Sequence, residues 1–363
     1  MVAAEYGRGI ARAFLDRHRG RIERDAPRLR SVLDPWLEGA VPEAGWDLCF
    51  GDAYRSIHIG ETGYDTCIAA SMATHVGALG LPGAWEARFQ TPVRLRWGRL
   101  LLPACTSIAV ESDSATAAIT TFGDDRTRTQ LIVTRDGDEW CGDADRIPTV
   151  TRCGLRLSVL SRDALLLRDF DDLVAKALPT IDLRMMGIFD AAVEIIERYT
   201  PMYIPWVRRA LHNVFILYPR TDTIESGSVE HYLGLIHLSA HAQPLPIAEL
   251  LVHEAAHQHM NLLTKLGPVD DGSDHNTYYS PPVDKQRRIS LIMAAYHAFS
   301  NVLLFYRLCR RNGIAERREC DRQEGILRPW LEQLQAPLEG NPALTDIGRA
   351  LWLPLRSQLQ TIA

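Results

Sequence analysis

The feature that most constrains this chain is a pair of histidines four residues apart, in the segment His253-Glu254-Ala255-Ala256-His257. On an α-helix, residues at this spacing lie on one face about one turn apart, so both imidazoles can point at the same ion. Glu254 is displaced from that face by about 100° and can reach the open side of a metal, where it can take or give a proton. The segment therefore predicts a metal site on a helix.

The surroundings of the motif support this interpretation. Pro244 and Pro246 are start signals for a helix predicted over 247–266, and Gly267-Pro268 is a stop signal. A short apolar stretch, 232–238, precedes the helix and predicts a strand. Eight of the twelve histidines lie between His231 and His297, which indicates a region of metal or proton chemistry.

The choice of a third ligand separates the possible chemistries. A metzincin needs Gly and His at the positions that Met260 and Leu263 occupy here. Some zinc peptidases take a downstream Glu as the third ligand, but this sequence has no Glu between Glu254 and Glu316. His297 lies on the otherwise apolar stretch 289–305 of the next predicted helix, and it is the preferred third ligand.

Other third ligands stay open. His275 is the main competitor, and the loop over 267–284 supplies carboxylates at Asp270, Asp271, Asp274 and Asp284. His259 points off the metal face and is expected to be solvated.

Three histidines suit zinc with a bound water, and they also leave open positions on ferrous iron for a co-substrate and dioxygen. Redox chemistry of that kind needs an anchor for an acidic co-substrate. Arg287 and Arg288 can offer a bidentate guanidinium, and Tyr279 or Ser280 can add a hydroxyl.

Composition excludes several other classes. The net charge of -5 gives no overall attraction to nucleic acid or to an anionic membrane. Apolar runs are judged short of the roughly 20 residues of a membrane span. The charged N-terminus lacks the apolar segment of a signal peptide. Seven scattered cysteines without a CxxC pair are typical of a reducing cytoplasm, which is the expected location.

The remaining pattern predicts an α+β fold with N-terminal helices, a β-rich middle and a mainly helical C-terminal half. Alternating residues over 92–160 predict antiparallel strands. The predicted helices cover 5–38 (ending at Pro35), 66–79, 169–178, 183–198, 206–216, 287–311 and 326–334. We expect two units, 1–165 with a peptide-binding role and 166–363 as the catalytic part with a zincin-like HExxH helix.

The order of motifs resembles one known family. A strand with Gly234, the segment 248–257 with the HEAAH motif, Tyr279-Ser280-Pro281, an arginine and Tyr296-His297-Ala298-Phe299 are similar to the HExxH-type peptide β-hydroxylases. Ser226-Gly227-Ser228 also fits that pattern. The resemblance covers about 220–306. These enzymes use 2-oxoglutarate in the biosynthesis of ribosomally made, post-translationally modified peptides.

The resemblance implies Fe(II) bound by His253, His257 and His297, with Glu254 either next to these ligands or as an additional ligand. It also implies that Arg287 or Arg288 holds 2-oxoglutarate, and that the substrate is the β-carbon of a residue in a precursor peptide. The region 92–160 is expected to hold that peptide by strand addition. Two alternatives remain: a zinc metallopeptidase with Glu254 as general base, and a non-catalytic peptide-binding protein.

Overall fold

A computed structural model describes residues 2–39, 46–60, 63–125, 127–162, 171–219 and 225–362. Within them the chain is α+β with a mainly helical C-terminal half, as the sequence predicted. Buried apolar side chains form two large cores, one in each half of the chain.

The described N-terminal helices differ in number from the prediction. They are α1 (Val2–Arg17), α2 (Arg19–Asp25), α3 (Leu29–Leu37), α4 (Leu48–Ile59) and α5 (Asp65–Ala78). The single helix predicted over 5–38 was wrong, because Pro27 keeps the preceding Ala26 out of helical geometry. Pro35 does not end this stretch but lies inside α3. The helix predicted over 66–79 is confirmed as α5, and α4 was not predicted.

The antiparallel structure predicted for the middle region is confirmed, although it starts earlier. One sheet has the strand order β1-β4-β5-β6-β7, and a smaller one has the order β2-β3-β8. The strands are β1 (Gly83–Val93), β2 (Arg96–Trp97), β3 (Leu100–Leu101), β4 (Cys105–Ser112), β5 (Thr116–Phe122), β6 (Arg128–Asp136), β7 (Glu139–Cys141) and β8 (Asp145–Arg146). Along β1, buried Trp85 and Ala87 alternate with exposed Glu86 and Arg88, so one face packs on the helices.

A second, mixed sheet belongs to the C-terminal core. Its strand order is β12-β13-β11-β10-β9. The strands are β9 (Thr149–Arg152), β10 (Leu155–Leu160), β11 (Asn213–Leu217), β12 (Ser226–Ser228) and β13 (Leu235–Ser239). Strands β10, β11 and β13 run parallel, and β9 and β12 are antiparallel edges.

The C-terminal helices surround this sheet. They are α6 (Asp171–Lys176), α7 (Leu183–Tyr199), α8 (Tyr203–Ala210), α9 (Pro244–Leu263), α10 (Ile289–Arg311), α11 (Arg317–Gln335) and α12 (Asp346–Thr361). A hairpin of β14 (Tyr278–Ser280) and β15 (Lys285–Arg287) enters α10, with a 3-10 turn over Pro281–Val283 between the strands. The helix predicted over 206–216 was wrong beyond residue 210, because β11 follows.

The division predicted at residue 165 falls within 163–170, outside the described residues, as does part of the helix predicted over 169–178. Strands β9 and β10 precede that division, yet they hydrogen-bond within the second sheet. The two-unit division therefore stays a prediction.

Helix α10 corrects the estimate that every apolar run is too short for a membrane span. Its length and apolar composition are sufficient for one, and it is the one such helix among the described residues. However, 72% of its apolar window is buried inside the protein. That burial is typical of a core helix and is compatible with a soluble protein.

Candidate metal centre

Helix α9 is fixed to the second sheet by one buried side chain, Gln258. Its Nε2 donates to the carbonyl of Leu235 at 2.8 Å, and its Oε1 accepts from the backbone N–H of Gly234 at 3.0 Å. Gln258 is fully buried, so these hydrogen bonds satisfy polar groups that have no access to water. Because Gln258 follows His257 directly, this anchor sets the rotation of the HEAAH segment relative to β13.

On the same helix His253 and His257 converge, as the sequence predicted. Their Nε2 atoms are 3.1 Å apart, and the rings meet edge to face with centroids 4.8 Å apart. Burial lowers the pKa of His253 well below the usual range, with a further contribution from His257, and burial lowers the pKa of His257 to about 4. Both rings are therefore neutral at pH 7, which is the form that binds a metal.

The spacing of the two nitrogens suits shared coordination. Imidazole nitrogens bind zinc at about 2.0–2.1 Å, so two ligands of one ion that subtend roughly a right angle lie about 3 Å apart. The same 3.1 Å also suits an N–H···N hydrogen bond between two neutral rings. The pair thus fits two ligand positions of a metal site. Measuring metal binding distinguishes a pair that holds an ion from a pair joined only by a hydrogen bond.

The carboxyl group of Glu254, the residue after His253 in the chain, is held by the edge strand β12. Its Oε1 accepts from the hydroxyl of Ser226 at 2.8 Å, while its buried Oε2 has no hydrogen-bond partner in the described residues. Burial raises the pKa of Glu254 to about 7, and hydrogen bonds from Ser226 and Ser228 limit the increase. A carboxyl group with this pKa can exchange a proton near neutral pH.

Two aromatic side chains extend from the histidine pair toward α11. The ring of His253 meets Phe299 edge to face at 4.9 Å, and Phe299 meets Trp330 in the same way at 5.5 Å. Both Phe299 and Trp330 are only partly buried. They line the α11 side of His253 with apolar rings.

The third predicted ligand, His297, lies on α10 and is almost fully buried. Its ring is 6.0 Å from that of Trp206, and its Nδ1 has no hydrogen-bond partner in the described residues. Burial lowers the pKa of His297 to about 3, with smaller contributions from His257 and His259. The ring is therefore neutral and close enough to His257 to interact with it electrostatically.

The structure does not bring the three predicted ligands together. Among the described residues, no group of three His, Cys, Asp or Glu side chains is arranged to hold a metal ion. On α10, the ring in contact with His253 is that of Phe299, which lies about 200° around the helix from His297. The role of His297 as a ligand therefore stays a prediction.

The other histidine of this helix, His259, is not solvated, contrary to expectation. Its ring packs on Trp206 with centroids 3.7 Å apart, and its Nε2 is 3.0 Å from the carbonyl of Trp206. This histidine joins α9 to α8. The lone His259 is thus a packing residue, as its position off the metal face would allow.

Among the alternative ligands, two loop carboxylates are engaged locally. Asp274 accepts from the hydroxyl of Tyr278 at 2.8 Å and from Asn341 at 2.8 Å, and Asp284 accepts from Tyr279 at 2.8 Å. His275 is exposed. These contacts stabilise the loop, and no metal group forms there within the described part of the chain.

The residues expected to hold a co-substrate lie on the hairpin and at the start of α10. Tyr279 is 43% exposed, whereas Ser280 is fully buried with its hydroxyl unpartnered among the described residues. Arg287 ends β15, and Arg288 immediately precedes α10, nine residues before His297. At 1.5 Å per residue this places Arg288 about 13 Å along the helix axis from His297.

Sequence reasoning missed the contacts that support the pair. Ser226 was noted only as part of a family pattern, but its hydroxyl binds Glu254. Gln258, Phe299 and Trp330 were not singled out as site residues, since an amide or an aromatic ring at these positions gives no signal without the partner in space. The one available signal in the sequence was the position of Gln258 directly after the HEAAH motif.

A scan against protein-family models finds no match, and a search of curated proteins finds no significant match.

Proposed function

We propose that the chain is a metalloenzyme of the 2-oxoglutarate-dependent kind, which hydroxylates the β-carbon of a residue in a ribosomally made precursor peptide. The observation that carries the proposal is the 3.1 Å spacing of the Nε2 atoms of His253 and His257 on the HEAAH helix. The similarity of this segment to peptide β-hydroxylases supplies the reaction class. In this proposal α9 acts as a zincin-like HExxH helix.

In the proposed enzyme His253 and His257 bind the metal, and His297 is the third ligand. Fe(II), with 2-oxoglutarate and dioxygen, supplies the oxidising power when bound. The two neutral imidazoles offer lone pairs without a proton to displace. His297 is not part of a three-residue metal group among the described residues, so its participation as the third ligand belongs to the proposal.

The other residues position and shield the reactants. Ser226 orients the carboxyl group of Glu254, which can hold a proton at neutral pH. Phe299 and Trp330 limit the access of water to the open side. Arg287 or Arg288 binds the distal carboxylate of 2-oxoglutarate, as the family resemblance implies.

A zinc metallopeptidase is the second candidate, and the raised pKa of Glu254 favours it. A carboxyl group titrating at about 7 beside a metal-bound water is suited to act as a general base. Against it, α10 carries no Asp or Glu that could complete a two-histidine, one-carboxylate zinc site. A non-catalytic peptide-binding protein is the third, less supported, alternative.

The decisive assay is anaerobic reconstitution with Fe(II), followed by exposure to oxygen, 2-oxoglutarate and the peptides encoded beside the gene. We expect succinate release coupled to a gain of one oxygen atom in a peptide, and loss of both in His253→Ala. His275→Ala is the matched control and should retain activity. Peptide cleavage by the zinc-loaded protein, without any oxygen gain, would replace the hydroxylase with the peptidase.

A further inference from the structure

The hairpin β14–β15 and the helices beside it carry an exposed surface of which the proposed chemistry uses only one arginine. We call it the basic hairpin surface, and it consists of Lys285, Arg287, Arg288, Leu291 and Ile326. Its two apolar members, Leu291 and Ile326, are 47% and 37% exposed. Strand β14 packs against both α10 and α11, so these side chains lie on neighbouring elements. Exposed apolar side chains grouped in this way indicate an interaction site.

The cations of this surface outnumber the acid beside them. Lys285, Arg287 and Arg288 have no ion-pair partner among the described residues, whereas the one carboxylate next to them in the hairpin is Asp284, which accepts from Tyr279 and keeps its charge. On α11, Glu324 is paired with Arg307 at 2.8 Å and Arg310 at 2.7 Å. The surface is therefore apolar and positively charged, and it is complementary to an acidic partner with apolar side chains.

The backbone of the hairpin offers a binding mode for such a partner. Within the described residues β14 and β15 pair only with each other, so the outer edge of each strand has no neighbouring strand. An extended peptide can add to such an edge by main-chain hydrogen bonds. Ser280 in β14 is fully buried, so the exposed β15 is the strand that offers such an edge.

The surface is continuous with the histidine pair. Trp330 lies four residues after Ile326 on α11, one turn away on the same face. From Trp330 the edge-to-face contacts lead through Phe299 to His253. A peptide held at the hairpin can thus reach the candidate metal centre over an apolar path.

We propose that the basic hairpin surface docks an acidic, apolar segment of a peptide as an added strand, and that this segment belongs to the substrate. Only the last clause rests on the proposed function. The inference gives Lys285 and the arginine not used by the co-substrate a role in peptide recognition. It also places peptide recognition in the C-terminal half, beside the site, rather than on the strands over 92–160.

The test uses the full chain and fluorescence anisotropy of short fluorescein-labelled peptides that alternate Glu with Val, Lys with Val, or Glu with Ser. We expect salt-dependent binding of the Glu–Val peptide, and weaker binding of the other two. The triple variant Lys285→Glu, Arg287→Glu and Arg288→Glu should lose at least about tenfold in affinity. The corresponding triple Gln variant should lose less, and it guards against misfolding of the charge-reversed protein.

The matched control reverses three exposed cations that lack ion-pair partners in the described part of the chain, Arg17, Arg128 and Arg184. It should change affinity by less than about twofold. Equal losses in both triple variants, absence of Glu–Val binding, or equally tight binding of a single-stranded oligonucleotide would overturn the inference. His253→Ala should bind the peptide normally. Peptide binding at this surface without any turnover would contradict the proposed enzyme activity but not the surface. Turnover without peptide binding at this surface would contradict the surface but not the enzyme activity.

Discussion

At the scale of single residues, Gly234 connects the sheet to the HEAAH helix in a conformation that other residues adopt at a cost. Its φ is +82°, and a Cβ there would lie 3.0 Å from the ring of His212 and 3.2 Å from that of Trp46. Its backbone N–H donates to Gln258 on α9. A side chain at this position therefore strains the backbone and also pushes on the anchor of the site.

We predict that Gly234→Ala lowers the free energy of unfolding by about 2–4 kcal/mol, through left-handed strain and overpacking together. Gly272→Ala is the control, since Gly272 has φ +76° but no atom within 4 Å of its Cβ position. It should cost only the conformational part, about 1 kcal/mol. Urea unfolding measures both, and equal losses would show that the contacts with His212 and Trp46 carry no energy.

Single residues also show how much of the site the sequence could reveal. The convergence of His253 and His257 was predictable because a four-residue spacing on a helix fixes it without any tertiary information. The neighbours of His259 and His297 were not predictable, because they depend on how α8 and α10 pack against α9. The hydroxyl of Ser226 reaches Glu254 only because β12 is an edge strand beside that helix.

At the scale of elements, the antiparallel strands were predicted correctly because apolar and polar residues alternate along them, and α5 because it is rich in alanine and is followed by Gly80. The segment Asn213–Leu217 was misassigned, since a strand buried on both faces has a continuous apolar run that is indistinguishable from a buried helix. The first helix was divided at Ala26 by the conformational effect of Pro27. Helices α4 and α12 were missed, although Asp47 and Thr345 cap them in the expected way.

The Asp47 carboxylate illustrates how elements are joined in the N-terminal half. It accepts from the N–H of Cys49 at 3.0 Å at the start of α4, and it lies 2.9 Å from Arg96 on β2 and 3.4 Å from His75 on α5. Burial alone would raise the pKa of Asp47, but the charges of Arg96 and His75 and the Cys49 N–H lower it to about 2. The charged form therefore stabilises the fold.

We predict a pH-dependent effect of Asp47→Asn. Because the folded pKa is below the unfolded one, the stabilisation is present above pH 4 and is lost as the pH falls from about 4 toward 2. At pH 7 the variant should be less stable by about 2 kcal/mol. The control Asp138→Asn changes a carboxylate that is 75% exposed and should have little effect. The prediction fails if the deficit of Asp47→Asn in urea unfolding is unchanged between pH 7 and about pH 2.5.

At the scale of the whole molecule, the two halves contact each other through α4 and the segment before β13. The hydroxyl of Tyr232 donates to Asp52 at 2.7 Å, and the ring of Tyr232 lies so close to Gly51 that a Cβ there would be 2.2 Å from it. Helix α4 of the N-terminal half thus packs against the segment that leads into Gly234 and the HEAAH helix. The candidate metal centre and the basic hairpin surface both belong to the C-terminal half.

The central claim for the whole molecule is that His253 and His257 share one metal ion. The most direct test is an anaerobic titration with Fe(II), with the bound metal measured by equilibrium dialysis for the full chain and for single alanine variants. We predict one ion per chain, loss of binding in His253→Ala and in His257→Ala, weaker binding in His297→Ala, and unchanged binding in the exposed control His275→Ala. Equal iron binding by the wild type and by both His253→Ala and His257→Ala would contradict the account, and the 3.1 Å contact would then be a hydrogen bond between two core histidines.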